Sequence, residues 1–259
     1  DMYCILNVHH DTGADKTAWL KADGTTYAAS NAKFKYLWKQ IADHFKNYSE
    51  KLVFEGYNEM LTGSDGSAQW NTPNNEANLD YINKYAQDFV DAVRSTGGKN
   101  KYRNLIVTTY AASPVEKNLQ KLVIPTDPCG NQSHLAVEVH TYAPYDWVNT
   151  YNKHWTAECT REITNMFALL KKYIMDQGYP VVIGEYGSNG KGEVTINKNS
   201  THEEKLEAGK QASDMTTLCK QYNAAAFYWN GIVEGNDRKE SSFKWSMEEV
   251  ADAIVNAAK

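Results

Sequence analysis

Positive charge is sparse in this sequence. Lys and Arg number 27 against 32 Asp and Glu, the net charge is −5, and no basic run occurs anywhere. That balance argues against nucleic acid or an anionic membrane as a partner. Long hydrophobic runs are also missing, so nothing in the chain is long enough to span a bilayer. The opening Asp1-Met-Tyr-Cys4 reads as the approach to a strand and not as a signal peptide. A secreted or otherwise extracytoplasmic protein that has lost its leader opens the same way. Cysteine is scarce: Cys4, Cys129, Cys159 and Cys219 have no Cys-x-x-Cys or Cys/His spacing, which speaks against a zinc site. A chain of 259 residues needs no disulfides, and Cys4 and Cys219 are expected as buried free thiols in a strand and a helix. A Gly-rich phosphate loop and a Gly-x-Ser-x-Gly elbow are absent, so nucleotide chemistry and serine hydrolysis fall away. The sequons at Asn47, Asn131 and Asn199 matter only in a eukaryotic host.

Aromatic residues are plentiful by contrast, with 17 Tyr and 7 Trp. Short, nearly continuous apolar runs at Tyr3–Val8, Leu52–Glu55, Asn104–Thr109, Leu135–His140, Val181–Glu185 and Ala225–Trp229 predict parallel strands buried on both faces. Helical stripes lie between them. Phe34, Leu37, Trp38, Ile41 and Phe45 form one, Tyr81 to Val93 a second and Ile163 to Ile174 a third. Further helices are expected at 203–222, 247–258 and, shorter, 115–122. Alternating strands and helices predict a parallel α/β fold of about six β/α units forming one domain over 1–259. The helix-to-strand turns are tight. The strand-to-helix loops, 11–29, 60–78, 141–155, 186–200 and 230–246, are long, and such loops build the active face of a barrel. Trp19, Trp70, Trp147, Trp155, Trp229 and Trp245 fall in those loops or at a strand end, while Trp38 sits on a helical core stripe. Indoles gathered on one face suit flat amphipathic ligands, and sugar rings are the obvious ones.

Polar residues collect at the strand ends: His9-His10-Asp11, Asn58-Glu59, His140-Thr-Tyr142, Gly184-Glu185-Tyr186 and Trp229-Asn230. Glu59 and Glu185 are the acids best placed to converge, and hydrolysis of a glycoside requires two carboxyl groups in different environments. Asn58 could bond a sugar 2-hydroxyl. Glu59 could instead be an acid at a helix start, favoured by the macrodipole. Glu55 reads as scaffold at its strand end. His9, His10, Asp11 and His140 could be read as metal ligands of a barrel metallohydrolase. The sequence offers no His-x-His or His-Glu-x-x-His spacing, and adjacent strand residues point to opposite faces, so one of His9 and His10 should face the site and the other the wall. His44, His134, His154 and His202 read as ordinary surface or packing residues.

These residues resemble glycoside hydrolase family 5. "ILNVHHD" is similar to the family's third barrel strand, "LVFEGYNE" to the fourth, "VEVHTY" to the sixth, "PVVIGEYG" to the seventh and "AAFYWNG" to the eighth. The resemblance implies Glu59 as acid/base and Glu185 as nucleophile, about 5–5.5 Å apart. His9, His10, Asn58, His140, Tyr142 and Trp229 would then surround the substrate, with Trp147 and Trp19 as further binding residues and no cofactor. Tyr142 would orient Glu185 and help keep it ionised. An endo-acting retaining β-glycanase follows, acting on cellulose-like or mixed-linkage β-1,4-glucan. Xyloglucanase, mannanase and a catalytically impaired carbohydrate-binding remnant are the alternatives. The resemblance implies an α/β fold of the (β/α)8 TIM-barrel type, here an incomplete barrel of about six β/α units because the match begins at the family's third strand. Open parallel edges would favour a homodimer or element exchange.

Overall fold

A computed structural model describes residues 2–14, 17–63, 70–188, 196–229, 232–234 and 244–259. Two compact units are delimited by contacts: Asp1–Val139 with Tyr173–Val181, and His140–Lys172 with Val182–Lys259.

In the first unit, β1 (Cys4–Asn7), β2 (Leu52–Glu55), β3 (Leu105–Thr108) and β4 (Leu135–Thr141, whose last two residues belong to the second unit) pair in parallel. The register runs Asn7↔Glu55, Glu55↔Ile106 and Ile106↔Ala136. β3 is buried at every position, as a parallel strand covered on both faces must be. β1 is less covered, and Cys4 is exposed, contrary to the buried thiol expected there. An apolar run signals a strand, but not whether neighbours cover it; β1 ends the strand order.

Helix α1 (Tyr27–Phe45) begins inside the stretch expected as loop. Its first turn, Tyr-Ala-Ala-Ser, carries no apolar stripe, and the chain enters it through Asp23, whose carboxylate accepts the Thr25 and Thr26 N–H groups at 2.8 and 2.9 Å. Phe34, Trp38 and Ala42 form the buried face of α1, and Trp38 packs on Phe54 of β2 and on Phe89 of α2 (Leu79–Arg94). At the helix-to-strand end, Arg103 is 1% exposed and donates to the carbonyls of Phe45, Tyr48, Ser49 and Leu52 at 2.6–3.2 Å. One guanidinium thus ties the last carbonyl of α1 to carbonyls of the turn that follows and of the first residue of β2. Arg94 is equally buried and pairs with Asp127 at 2.8 Å. The short helix α3 (Glu116–Lys121) follows β3.

The second unit contains α4 (Trp147–Thr150), α5 (Ala157–Tyr173, whose last residue belongs to the first unit) and most of β5 (Val181–Tyr186). It continues through α6 (His202–Tyr222), β6 (Ala225–Tyr228) and α7 (Glu248–Ala258). β6 pairs with β5 in parallel. A capping box opens α6: Thr201 Oγ1 accepts from Glu204 N–H, and Glu204 accepts from Thr201 N–H. Gly209 lets α7 approach, because a Cβ there would stand 3.0 Å from the Glu249 carbonyl. A two-residue ribbon, β7 (Val233–Glu234) with β8 (Lys244–Trp245), lies in the connection after β6. It is too short for any periodicity in the sequence to announce it. Among the described residues, no helix is long and apolar enough to cross a membrane.

Candidate active site

In the first unit the polar strand ends of β1 and β2 are built around Glu55. Asn7 is its register partner, and Asn7 Nδ2 donates to Glu55 Oε1 at 3.1 Å. Glu55 is 4% exposed, and its carboxylate is engaged within the strand pair. His9 Nδ1 lies 3.4 Å from the same Asn7 amide nitrogen. His9 is half-buried and His10 exposed, with the two rings edge-on at 4.8 Å. Beyond β1 the chain is pinned by Thr12, whose hydroxyl donates to His9 O at 2.9 Å. Asn58 N–H donates to Val8 O at 3.0 Å, which sets the Asn58-Glu59 pair beside the end of β1. Asn58 is buried and Glu59 half-buried. Trp19 is held through its indole N–H to Asp11, and the Lys33 ammonium sits 3.8 Å above its ring.

In the second unit Glu185 is 7% exposed on β5. Tyr142 Oη donates to Glu185 Oε2 at 2.6 Å, and His140 Nδ1 lies 3.5 Å from the same oxygen. A phenol O–H given to a carboxylate favours the ionised form of that carboxylate. The strand is irregular at this point. Val182 pairs with Ala225 and Ile183 with Ala226, yet Tyr186 pairs with Tyr228, so Gly184 and Glu185 together oppose Phe227. That is a β-bulge, a device that re-aims a side chain. Gly184 inside an otherwise apolar strand is its sequence signal. Past the bulge, Trp229 N–H donates to Tyr186 O at 2.6 Å. Gly187 is squeezed: an added Cβ would lie 3.1 Å from Trp229 O and 3.8 Å from the Tyr142 ring. Trp229 itself is 40% exposed at the end of β6, and Asn230 lies outside the described residues.

Trp147 departs from its expected role as a sugar-binding residue. It is fully buried, edge-on to Trp155 at 5.3 Å, and offers no face to a ligand. The loop indole is drawn inward because Trp155 is anchored to α6, with its indole N–H on Asp214 and its backbone N–H on Glu207, both at 2.7 Å. Nothing in a loop sequence distinguishes an inward from an outward tryptophan. Three of the remaining histidines also have partners that the sequence concealed: His134 with Asn104, His154 with Glu207 and His202 with Glu249.

Parallel strands whose C-terminal ends carry carboxylates, imidazoles, a phenol and an exposed indole are the hallmark of the β/α-barrel glycoside hydrolases. Comparison with known proteins makes the class particular. The family described as Cellulase (glycosyl hydrolase family 5) matches residues 1–235, and the chain belongs to that family. Endoglucanase A of Ruminococcus albus is 31% identical over 99% of this chain and 68% of its own length. Two more curated R. albus enzymes, Endoglucanase 1 and Endoglucanase B, are 32% and 36% identical over 90% and 73% of this chain, which spans 52% and 44% of their lengths. A family 5 enzyme of Prevotella bryantii B14, solved with a xyloglucan tetradecasaccharide, is 44% identical with a TM-score of 0.91, covering 99% of this chain and 71% of its own. A xyloglucan-specific endo-β-1,4-glucanase from a metagenomic library, solved with cellotriose, is 34% identical with a TM-score of 0.78, covering 98% and 71%.

Proposed function

We propose that residues 1–259 work as one catalytic domain of an endo-acting, retaining β-glycanase that cleaves β-1,4-glucan. β4 and β5 each run from one unit into the other, which supports treating the two units as one domain. The observation that carries the mechanism is the 2.6 Å bond from Tyr142 to Glu185. It presents a buried carboxylate, held in its ionised form, as a nucleophile.

In the first step Glu185 attacks the anomeric carbon while Glu59 gives its proton to the departing glycosidic oxygen. A covalent glycosyl-enzyme results, and the aglycone leaves. In the second step Glu59, now ionised, takes a proton from water, and that water displaces Glu185 with net retention. The separation of the two carboxyls in this reading is about 5–5.5 Å. Asn58 holds the sugar 2-hydroxyl, His140 lies on the nucleophile side, and His9 and His10 line the β1 end. Trp229 and the outer face of Trp19 stack on sugar rings.

The glucan is cellulose-like or mixed-linkage, and no cofactor takes part. Relatives solved with xyloglucan and cellotriose support a β-1,4-glucan backbone as the recognised element. A polymer of this size is degraded outside the cytoplasm, so the working protein is secreted. Among the described residues β1 pairs with β2 and β6 with β5 on one side only, and a second copy of the chain covers the edge each leaves. Sedimentation velocity tests that association, and a lone monomer with full activity contradicts it. The function is tested by profiling products from β-glucan, xyloglucan and mannan, with and without chelator. Internal cleavage of glucan that chelator leaves unchanged is expected. Binding without turnover, or loss with chelator, would overturn the assignment.

A further inference from the structure

The bulge in β5 sets a problem that its own strand neighbours do not fully solve. One extra residue between Ile183 and Tyr186 turns Glu185 toward Tyr142. A slip of one residue back to regular pairing would send the carboxylate to the opposite face. The segment after the bulge must therefore be held where it is. β6 supplies two ties, Trp229 N–H to Tyr186 O at 2.6 Å and the Tyr228 hydroxyl 2.9 Å from Ser188 Oγ. A third comes from a helix. Gln211 on α6, 1% exposed, donates its amide Nε2–H to Gly187 O at 2.9 Å.

This glutamine is an odd choice for packing alone. Its neighbours on the buried face of α6 include Ala208, Ala212 and Met215, and its own Oε1 is buried with no hydrogen-bond partner among the described residues. A methionine would fill the space without burying an unsatisfied acceptor. The gain from the amide lies in what it grips. Gly187 is the residue wedged against both the Trp229 carbonyl and the Tyr142 ring, so its carbonyl is a handle on the Glu185–Tyr142 contact.

We infer that Gln211 is a positioning residue for Glu185: its amide, acting through Gly187 O, locks the register of the bulge that aims the carboxylate at Tyr142. The inference rests on the reading of Glu185 as nucleophile. It assigns Gln211 no contact with substrate. Its effect is to keep β5 from relaxing past the bulge.

The test compares Gln211→Met, which removes the donor at similar volume, with Gln211→Glu, whose buried neutral carboxyl restores an O–H donor to Gly187 O. Gln211→Met is expected to lower kcat on the order of 10- to 100-fold with KM nearly unchanged, as a small misplacement of a reacting group does. The acid limb of the kcat/KM profile should move to higher pH, because Tyr142 then bonds Glu185 less well. Gln211→Glu should recover most of the rate at mildly acidic pH, and the thermal midpoint of Gln211→Met should stay near that of the unmodified chain. Gln211→Leu replaces Gln211→Met if the latter does not fold. The titration of Glu185, followed by carboxyl 13C NMR, gives a readout that needs no turnover, and it should move upward in Gln211→Met. Unchanged kcat together with an unchanged Glu185 titration would overturn the inference, and so would a rate loss that Gln211→Glu does not rescue. Glu185→Ala is assayed beside them. Full activity in that variant removes the nucleophile reading itself, whereas an inactive Glu185→Ala beside an unaffected Gln211→Met removes only the role of Gln211.

Discussion

Replacing Tyr142 by Phe deletes one oxygen and leaves the ring against Gly187 in place. The lost interaction is a 2.6 Å hydrogen bond to a carboxylate that is 7% exposed. Bonds of that kind, to a charged acceptor, are worth about 1.5–3 kcal/mol. Glu185 Oε2 keeps His140 at 3.5 Å, a longer and weaker contact, so the loss is not made up on the spot. At about 1.4 kcal/mol per factor of ten, the expected fall in kcat/KM is roughly 10- to 150-fold. Because the phenol favours the ionised carboxylate, removing it should also move the acid limb of kcat/KM to higher pH. The assay is initial-rate hydrolysis of a soluble β-glucan oligosaccharide from pH 4 to 8, for both proteins, with circular dichroism to verify folding. A folded Tyr142→Phe variant with unchanged kcat/KM and an unmoved acid limb would refute the argument that this bond prepares the nucleophile.

Three further outcomes follow from the scaffold. Asp127→Asn strips the charge from the partner of fully buried Arg94 and should destabilise by about 3 kcal/mol, lowering the thermal midpoint by roughly 6–12 °C; a shift within experimental error would mean the pair contributes little. Lys153 and the Thr201 N–H hold the Glu204 carboxyl below its ordinary value of 4.5, and at Glu207 the pull of burial in the other direction is outweighed by Lys210 and the Trp155 N–H. Depressed carboxyl pKa values stabilise the fold above the unfolded value and lose that contribution as pH falls through the folded one. Denaturant midpoints should therefore be steady from neutral pH down to about 5 and drop below 4.5, and a midpoint that holds at pH 3 would contradict the pairings. Burial pushes the Cys219 thiol up to about 12, while Cys4 and Cys129 are exposed. A thiol reagent at pH 8 should titrate two groups in the native protein and four after unfolding, and reaction of all four in the folded chain would exclude the buried positions of Cys159 and Cys219.

The strands were the most legible part of the chain. Leu52–Glu55 was read without error and the other five to within a residue at each end, because strands of a parallel sheet leave nearly unbroken apolar runs. The cover expected on both faces holds for β3 but not for β1 or for β6, whose residues are exposed or half-buried. Helix stripes located every long helix but missed the start of α1, whose first turn, Tyr-Ala-Ala-Ser, carries no apolar stripe even though Tyr27 packs on Tyr81 and Tyr85. The bond between Tyr142 and Glu185 was expected from the family motif, and Glu55 was separable from Glu59 by its place at the end of a strand. What stayed hidden depends on partners distant in sequence. Trp147 turns inward because Asp214 and Glu207 hold Trp155, and no local feature encodes that. The grip of Gln211 on Gly187 joins a helix to a strand end across 24 residues, and the exposure of Cys4 depends on what stands beside β1.

The central claim is that Glu185 forms a covalent bond to the sugar and that Glu59 handles the proton. Its most direct test is trapping with a 2-deoxy-2-fluoro-β-cellobioside bearing a good leaving group, followed by proteolysis and mass spectrometry. Slow loss of the leaving group should leave one fluorosugar on the peptide containing Glu185, with the same peptide unlabelled in Glu185→Ala. A label on another residue, or turnover of the natural substrate to the inverted anomer by NMR with no label at all, would contradict the account.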